Sequence, residues 1–380
     1  MKIDPKTFCD TLAEGGLDFF AGVPDSLLKD FCACVFDRVP AERNIITANE
    51  GNAIGMACGY HIATGKAAVV YMQNSGEGNA VNPLLSIADP DVYSIPMLLI
   101  IGWRGEPGVH DEPQHLKQGK VTCALLEAMG VPFVVVDPSS WERQLSEILG
   151  VMRAESRPVA LVVRKGTFGS YPFSAEENGA LLSREEAIEI ILGCLREDDL
   201  VVSTTGKTSR EVFEVRERCG EGHANDFLTV GGMGHTSSIA FGMALGTDAD
   251  VWCIDGDGSF LMHMGAFPVM AQKLPRNFKY IVNVNGAHES VGGQPNVGEL
   301  IDVPGILRAS GFQLVLEASA PEGIAESIDV LRRNAGCALV LRTHQGSRDD
   351  LGRPTSTPIE NKMAMMEKIA QMRCAKQVEA

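Results

Sequence analysis

Short apolar runs alternate with longer segments of mixed polarity along the whole chain. The apolar runs contain many β-branched residues and end at glycine or polar turns, as in 158–163 and 251–254. Such runs are typical of buried strands, and the mixed segments between them have the length and spacing of helices. The pattern therefore predicts an α/β protein built from parallel sheets wrapped by helices.

The predicted elements follow one another in the same alternating order in both halves of the chain. The predicted strands are 18–22, 44–47, 67–72, 96–101, 132–136, 158–163, 200–203, 226–230, 251–254, a run that starts at 280, 313–316 and 338–343. The predicted helices are 5–12, 27–35, 50–64, 78–88, 120–129, 140–153, one that starts after a capping box at 183–186, 208–218, 236–245, 303–309, 321–334 and 359–372.

A polar stretch, 166–183, interrupts this alternation and predicts a linker. On either side of it we expect one α/β domain, over 1–165 and over 184–345, followed by a tail over 346–380 that carries the terminal helix. At 380 residues the chain is long enough for two domains of ordinary size.

The composition is that of a soluble globular protein, with 45% hydrophobic and 22% charged residues. A formal net charge of −16 argues against nucleic acid or an anionic membrane as a partner, and it requires local Lys or Arg wherever an anion binds. No segment has the pattern of a signal peptide or of a membrane span. The ten cysteines show no metal-binding spacing, so we expect reduced thiols in a cytoplasmic protein.

One pair of loops carries the strongest chemical signal. Gly256-Asp257-Gly258 follows a predicted strand, and Asn285 ends the next strand along the chain. Parallel strands bring their following loops to the same edge of a sheet, so we expect Asp257 and Asn285 to lie side by side. Carboxylate and amide oxygens among free backbone groups suit a Mg²⁺ ion that holds a diphosphate. The alternative is that Asp257 only caps the helix that begins near Ser259.

Together the two loops resemble the cofactor motif of the thiamine diphosphate enzymes, in which Gly-Asp-Gly, a helix and Asn-Asn follow one another. Val284 stands here in place of the first Asn of that doublet. The resemblance implies that Asp257, Asn285 and the carbonyl of Ala287 hold Mg²⁺ on the diphosphate of thiamine diphosphate. It also implies two flavodoxin-like, doubly wound parallel-sheet domains, one binding the pyrimidine and one the diphosphate, without a central domain.

The segment Asn49-Glu-Gly-Asn52 opens a helix of small and apolar residues. It resembles the pyrimidine-side signature of the same family, in which one glutamate meets N1′ of the aminopyrimidine. The resemblance implies that Glu50 is catalytic, because protonation at N1′ lets the 4′-imine remove the proton from the thiazolium C2. The alternative is that Glu50 lies in the first turn only because the helix dipole stabilises a negative charge there.

The turn Gly22-Val-Pro-Asp25-Ser26 is a second candidate for chemistry. Asp25 matches the position of an aspartate that reaches the substrate in related pyruvate decarboxylases, and Ser26 lies beside it. The alternative is that one of these two residues caps the helix that follows.

A long loop rich in Gly and Pro, 102–115, is a third candidate, because such loops usually exist for binding. His115 resembles the active-site histidine of these decarboxylases, and the alternative is a surface histidine. Arg104 suits a phosphonate, a sulfonate or a carboxylate through its forked donors, and its alternative is an ion pair with Glu106 or Asp111.

Two strand-to-helix turns of the second half complete the candidates. Free N–H groups around Gly206 favour the binding of a diphosphate or of a substrate anion. The alternative is that this turn binds neither. Met233 matches the bulky residue that holds the cofactor bent in this family, and the alternative is a core filler. We expect the cofactor to contact Gly206, Gly232, Met233, Gly234, His235, Gly256, Asp257, Gly258, Ser259, Asn285, Ala287 and His288. The expected substrate contacts are Ser26, Arg104, Lys207 and Arg210, with Arg104 preferred over Lys207 and then Arg210 for an anionic group.

The resemblance covers nearly the whole chain and extends to the compact two-domain decarboxylases of phosphonopyruvate and sulfopyruvate. The matching segments include 22–29, 102–108, 111–115 and 285–294. The resemblance implies non-oxidative decarboxylation of 3-phosphonopyruvate to phosphonoacetaldehyde and CO₂, as in phosphonate biosynthesis, with protonation by His115 or Asp25. The sulfopyruvate enzymes often carry the two domains on separate subunits, so one fused chain favours phosphonopyruvate.

Three alternatives remain at this stage. They are a sulfopyruvate decarboxylase that forms sulfoacetaldehyde, a carboligase of the same family, and an inactive cofactor-binding subunit. In this family the cofactor lies between the first domain of one subunit and the second domain of another. The resemblance therefore also implies a homodimer or a larger homo-oligomer.

Overall fold

The computed structural model describes residues 2–172 and 181–379. The chain divides into two compact units, Met1–Ser174 and Ala175–Ala380. Each unit contains a six-stranded sheet, and the pairs within each sheet are parallel. The predicted fold class, two α/β domains with helix-flanked parallel sheets, is confirmed.

The first unit alternates strands with helices, as the apolar pattern predicts. Its strands are Phe20–Gly22 (β1), Asn44–Ile46 (β2), Ala68–Gln73 (β3), Met97–Gly102 (β4), Phe133–Val135 (β5) and Pro158–Val163 (β6). Its helices are Pro5–Glu14 (α1), Lys29–Arg38 (α2), Glu50–Thr64 (α3), Glu77–Pro83 (α4), Pro113–Ala128 (α5) and Trp141–Glu155 (α6). The strand order is β2-β1-β3-β4-β6-β5. The order reverses between β1 and β3, and ligands bind at such switch points in doubly wound sheets.

The second unit repeats this plan with a small hairpin added. The strands of its six-stranded sheet are Leu200–Ser203 (β7), Asp226–Leu228 (β8), Val251–Gly256 (β9), Phe278–Val284 (β10), Leu314–Ala318 (β13) and Cys337–Arg342 (β14). The hairpin lies between β10 and β13 in the chain and consists of Ala287–His288 (β11) and Gln294–Pro295 (β12). Its helices are Arg184–Gly193 (α7), Lys207–Cys219 (α8), Thr236–Gly246 (α9), Asp257–Met262 (α10), Ala266–Ala271 (α11), Val303–Ser310 (α12), Pro321–Arg333 (α13) and Pro358–Glu379 (α14). The strand order is β13-β14-β10-β9-β7-β8.

Several predicted helix boundaries are wrong, and proline explains two of them. The helix expected from residue 120 begins at Pro113, since proline fits the first helical position and a polar first turn hides the start. The helix expected over 78–88 divides into two parts, because α4 ends at Pro83 and a π-helical segment, Leu84–Ala88, follows. The helix expected at residue 27 begins at Lys29, two residues later.

Two predicted helix starts are confirmed. Asn49 caps α3, which covers Glu50–Thr64 as expected, and Ser183 with Glu186 forms the predicted capping box. All ten cysteines are free thiols, six of them buried. Among the described residues, no helix combines the length and the apolar character needed to cross a bilayer.

The predicted linker lies partly outside the described residues, which omit 173–180. Its first part is attached to unit 1, because Ile3 donates to the Thr167 carbonyl and Gly169 donates to the Ile3 carbonyl. Tyr171 donates its backbone N–H to Asp30 Oδ1 at 3.0 Å. The domain limits at 165 and 184 stay a prediction.

The terminal helix α14 closes one edge of the second sheet. Among the described strands, β8 is the last at that edge and pairs only with β7. On its open side, the Leu228 N–H donates to Asn361 Oδ1 at 3.1 Å, and Asn361 Nδ2 donates to the Asp226 carbonyl at 2.7 Å. The buried amide of Asn361 thus takes the place of a neighbouring strand.

Candidate active site

Glu50 is buried at the start of α3, with 5% of its surface exposed. Asn79 Nδ2 donates to Glu50 Oε2 at 2.7 Å. On its other side the carboxylate lies against the backbone of Gly76, where an added Cβ would come within 2.2 Å of Glu50 Oε1. The turn that contains Gly76 and Asn79 therefore fixes the carboxylate in one place. The position of Glu50 is set by these tertiary contacts, and the helix dipole alone does not account for it.

Asp25 lies just beyond β1 and has no solvent exposure. Its Oδ2 accepts from the Leu27 N–H at 3.0 Å, whereas its Oδ1 has no hydrogen-bond partner. Burial raises the pKa of this carboxyl to about 6, against the lowering effect of the nearby Arg104 guanidinium. Asp25 does cap the turn that precedes α2, but its second oxygen is left available for a ligand.

Arg104 follows β4 and is held by an internal ion pair. Its Nε donates to Asp111 Oδ2 at 2.8 Å and its Nη2 to Asp111 Oδ1 at 2.5 Å. Its Nη1 donates to Ser26 Oγ at 2.7 Å, while Glu106 pairs with Arg164 instead. The structure thus realises the loop-stabilising pair with Asp111, and the role of Arg104 in binding an anion stays a prediction.

His115 belongs to the first turn of α5, and the predicted loop 102–115 is correspondingly shorter. Its Nδ1 lies 3.0 Å from Asp111 Oδ1. Burial lowers the pKa of His115, and the hydrogen bond with Asp111 opposes that shift. Burial would raise the pKa of Asp111, but hydrogen bonds from Arg104 and His115 hold it well below its usual range. Asp111 therefore orients both candidate residues of this loop.

Glu77 is a buried carboxyl that the sequence reasoning did not assign. It begins α4, two residues before Asn79, and neither of its oxygens has a hydrogen-bond partner. Burial raises its pKa to about 8. A carboxyl left without a donor in this setting is stable only when it is protonated.

Asp257 and Asn285 lie side by side at the carboxyl edge of the second sheet. Strands β9 and β10 are neighbours, with Gly256 opposite Asn283. Asp257 Oδ2 accepts from the N–H groups of Asn285 at 3.1 Å and Gly286 at 2.7 Å. Asp257 therefore ties the two loops together. The helix that was expected near Ser259 begins at Asp257 itself.

The oxygens of this cluster fit a Mg²⁺ ion. Asp257 is 3% exposed, and it forms no ion pair within residues 2–172 and 181–379. Burial raises its pKa to about 6, against hydrogen bonds from Asn296 and from the Gly286 backbone. A divalent cation would supply the missing counter-charge, with the Asn285 amide and the Ala287 carbonyl as further hard ligands. In the described part of the chain no three His, Cys, Asp or Glu side chains cluster as a metal site, and the candidate ligands beside Asp257 are an amide and a carbonyl oxygen.

Val284, the departure from the family doublet, lies in the hydrophobic core of the second unit. Its neighbours Asn283 and Asn285 alternate with it along β10 and its end, and Asn283 Oδ1 is buried without a partner. The alternation directs Val284 away from Asp257 and leaves Asn285 beside it. The substitution therefore does not disturb the candidate metal site.

The glycine turn before α9 converges on the same loops. Gly232 and Gly234 both have positive φ, and the Gly234 N–H donates to Ser259 Oγ at 3.2 Å. A Cβ on Gly258 would come within 3.0 Å of both the His288 ring and the Met233 methyl. Met233 is half-buried and lies outside the core clusters of the described residues, and its role in holding the cofactor bent stays a prediction. Burial lowers the pKa of His288 to about 4. His235 is exposed, and its ring stacks on that of His263 with the ring centroids 4.4 Å apart.

The turn before α8 needs a glycine and presents a cation. Gly206 has φ +96°, and an added Cβ there would come within 2.4 Å of Ser290 Oγ. Lys207 forms no ion pair in the part of the chain that the structure describes, and Arg210 lies half-buried one turn further along α8. Free N–H groups at the start of this 13-residue helix favour an anion.

Comparison with known proteins assigns both units to one family. The model of the N-terminal TPP binding domain of thiamine pyrophosphate enzymes matches residues 6–125, and that of the C-terminal TPP binding domain matches 204–340. A phosphonopyruvate decarboxylase of Streptomyces viridochromogenes is 32% identical over 91% of this chain and 89% of its own. The phosphonopyruvate decarboxylase of Streptomyces hygroscopicus is 31% identical over 91% of this chain and 88% of its own. A sulfopyruvate decarboxylase of Methanosarcina acetivorans is 25% identical over 84% of this chain and 85% of its own. The chain therefore belongs to the thiamine pyrophosphate enzymes.

Proposed function

We propose that this chain is a thiamine diphosphate- and Mg²⁺-dependent decarboxylase that converts 3-phosphonopyruvate to phosphonoacetaldehyde and CO₂. The observation that carries the proposal is its end-to-end similarity to phosphonopyruvate decarboxylases at 31–32% identity. The presence of Glu50, Asp257 and Asn285 together supports a working enzyme over an inactive cofactor-binding subunit.

When bound, thiamine diphosphate supplies the electron sink that lets CO₂ leave a 2-oxo acid. Glu50 is the residue proposed to hold and return a proton at the aminopyrimidine N1′. Asn79 and Gly76 keep its carboxylate from turning away, which favours a proton relay of fixed geometry. On the diphosphate side, Asp257, Asn285 and the Ala287 carbonyl would hold the Mg²⁺ ion.

Asp25 and His115 are the proposed groups for protonating the product. The unpartnered Oδ1 of Asp25, with its pKa raised by burial to about 6, is able to carry a proton near neutrality. Burial lowers the pKa of His115, which favours the neutral imidazole, a form that can accept a proton and pass it on. Asp111 holds that ring by Nδ1, which leaves Nε2 for the transfer.

The phosphonate requires a cation, and the contacts reorder the candidates. Arg104 already gives three hydrogen bonds to Asp111 and Ser26. Lys207 has no ion pair among the described residues, so its ammonium group is available to an anion. We therefore place Lys207 first, ahead of Arg104 and Arg210.

We further propose that the chain works as a homodimer or a larger homo-oligomer, because in this family the cofactor is shared between subunits. Light scattering on the purified protein tests this directly. A monomer that turns over substrate at full rate would refute it.

The functional test is a direct assay with Mg²⁺ and thiamine diphosphate. Phosphonopyruvate and sulfopyruvate are supplied separately, and the aldehyde products and CO₂ are measured. We expect kcat/KM to favour phosphonopyruvate. Turnover of sulfopyruvate alone would assign the chain to the second candidate, which the 25% identical relative supports.

Product analysis with added aldehyde acceptors addresses the carboligase alternative. A decarboxylase releases phosphonoacetaldehyde in amounts equal to CO₂. An acyloin product in place of the free aldehyde would show that the enzyme passes its intermediate to an acceptor.

A further inference from the structure

Glu289 connects the candidate metal ligand Asn285 to a buried ion pair. It lies in the short helix that joins β11 to β12, and 6% of its side chain is exposed. Asn285 Nδ2 donates to Glu289 Oε1 at 2.8 Å. Neither the metal ligands nor the cofactor contacts expected from the sequence include this carboxylate.

The carboxylate of Glu289 is itself held from two other parts of the second unit. Arg184 Nη1, at the start of α7, donates to Glu289 Oε2 at 2.8 Å. The Gly346 N–H donates to Glu289 Oε1 at 2.7 Å. Arg184 is held in turn by Glu211 on α8, because Arg184 Nε donates to Glu211 Oε2 at 2.6 Å and Nη2 donates to Oε1 at 2.7 Å. Glu289 therefore has one position available to it.

A fixed carboxylate decides which end of an amide faces it. An ionised Glu only accepts hydrogen bonds, whereas the Asn side chain has one donor end and one acceptor end. The Nδ2 group of Asn285 therefore turns toward Glu289, and Oδ1 points the other way, where it accepts from the Ala287 N–H at 3.2 Å and keeps a second lone pair. Only Oδ1 is able to bind Mg²⁺.

We propose that Glu289 is a positioning residue for the metal site, which acts by holding the Asn285 amide with its oxygen toward the cation. The proposal rests on the proposed function of Asp257 and Asn285 as Mg²⁺ ligands. Groups that orient a metal ligand typically contribute 10- to 100-fold to metal affinity.

The same short segment also contacts the turn before α8. Ser290 Oγ accepts from the Lys207 N–H at 3.4 Å, and it occupies the space where a side chain at Gly206 would lie. Glu289 and Ser290 thus contact the candidate metal loop and the candidate anion turn from adjacent positions. This arrangement favours a role in alignment over a role in fold stability alone.

The test measures Mg²⁺ binding to the full chain by calorimetry, with thiamine diphosphate saturating and no substrate present. Glu289→Gln keeps the size of the side chain but has both a donor and an acceptor end, so it no longer selects one orientation of the Asn285 amide. We expect its dissociation constant for Mg²⁺ to rise by about 10- to 100-fold. Glu211→Gln is the matched control, because it removes the same charge from the same Arg184 network without touching Asn285. An equal rise in both variants, or no rise in Glu289→Gln, would overturn the proposal.

A donor–acceptor swap gives a second test, which does not require the single variant Glu289→Gln to fold. Asn285→Asp alone places two carboxylates together, while Asn285→Asp/Glu289→Gln restores one donor and one acceptor in reversed order. A pure charge effect predicts tighter Mg²⁺ binding for Asn285→Asp, which is the more negative. Positioning predicts tighter binding for the double variant, and the opposite order refutes it. Since no variant is judged by turnover, the absence of phosphonopyruvate decarboxylation with intact Mg²⁺ binding would refute the proposed function alone.

Discussion

Asn79 and Glu50 lie 29 residues apart in sequence and are joined by a hydrogen bond of 2.7 Å between Nδ2 and Oε2. The bond connects the first turn of α4 to the first turn of α3, so two helix starts meet at one carboxylate. This hydrogen bond shows that the turn 74–79 holds the carboxylate of Glu50, the proposed catalytic group. Predictions about that turn are therefore predictions about the proton relay.

Replacement of Glu50 by Gln should remove most of the turnover. The amide keeps the size of the side chain but cannot exchange a proton with the aminopyrimidine. We expect kcat to fall by about 100- to 10,000-fold, with thiamine diphosphate affinity changed far less. Steady-state kinetics and calorimetry measure the two effects. A near-normal kcat would refute the assignment.

Two glycines of the same turn form a matched pair of variants. A Cβ at Gly76 would come within 2.2 Å of Glu50 Oε1, whereas a Cβ at Gly78 has open space around it. Gly76→Ala should displace the carboxylate and lower kcat by about 100-fold, as misplacement of a catalytic group by an ångström does. Gly78→Ala should leave kcat unchanged. Equal rates in the two variants would show that the contact with Gly76 does not position Glu50.

Asp25 should make stability depend on pH in the opposite sense to an ordinary aspartate. Its pKa is raised from 3.8 to about 6, so the folded state binds more protons than the unfolded state between these values. Stability is therefore lost as pH rises from about 4 to 6. Asp25→Asn should raise the thermal midpoint at pH 7.5 by about 5 °C, and the gain should shrink toward pH 4. Calorimetric scans across this range measure it, and a gain that does not vary with pH would contradict the prediction.

Glu77 should produce a similar effect at higher pH. Burial raises its pKa from 4.5 to about 8, so wild-type stability should fall as pH rises through this window and level off above it. Glu77→Met supplies an apolar side chain of similar length. Its thermal midpoint should exceed that of the wild type by several degrees at pH 8.5 and by less at pH 5.

Glu77→Gln serves as the control for that variant. It removes the titrating group but leaves a polar amide without a partner. Both variants should lose the pH dependence, and Glu77→Met should be the more stable of the two. Persistence of the pH dependence in both would show that another group titrates.

Lys207 should contribute to the binding of the anionic substrate. Lys207→Gln is expected to raise KM for phosphonopyruvate roughly tenfold or more, the usual effect of losing a hydrogen bond to a charged group. Lys273→Gln, at an exposed lysine, is the control for a general loss of charge. If thiamine diphosphate affinity falls and KM does not change, Lys207 binds the cofactor diphosphate instead.

The strand ends that carry the site could be predicted from the sequence. Each proposed group follows a buried apolar run or opens a helix, and strand β9 ends at Gly256, immediately before Asp257. Because parallel strands share one carboxyl edge, the order of elements was enough to place Asp257 beside Asn285.

The partners of these groups could not be predicted in the same way. Asn79 lies within the predicted helix 78–88 and Glu289 within the matching segment 285–294, but no spacing indicates which side chain each one meets. Asp111 was one of two possible partners for Arg104, and only tertiary packing decides between it and Glu106. Pairing across loops depends on backbone paths that the local pattern does not encode, as in the hairpin β11–β12.

The amide of Asn361 has a consequence for the synthesis of the protein. It completes the hydrogen bonding of β8, yet it is made 133 residues after Leu228. At ribosomal rates of 5–20 residues per second, that interval lasts roughly 7 to 27 seconds. During it the outer edge of β8 lacks this partner, and an unpaired strand edge is a template for pairing with another chain. The synthesis of α14 therefore ends the interval in which this edge is open.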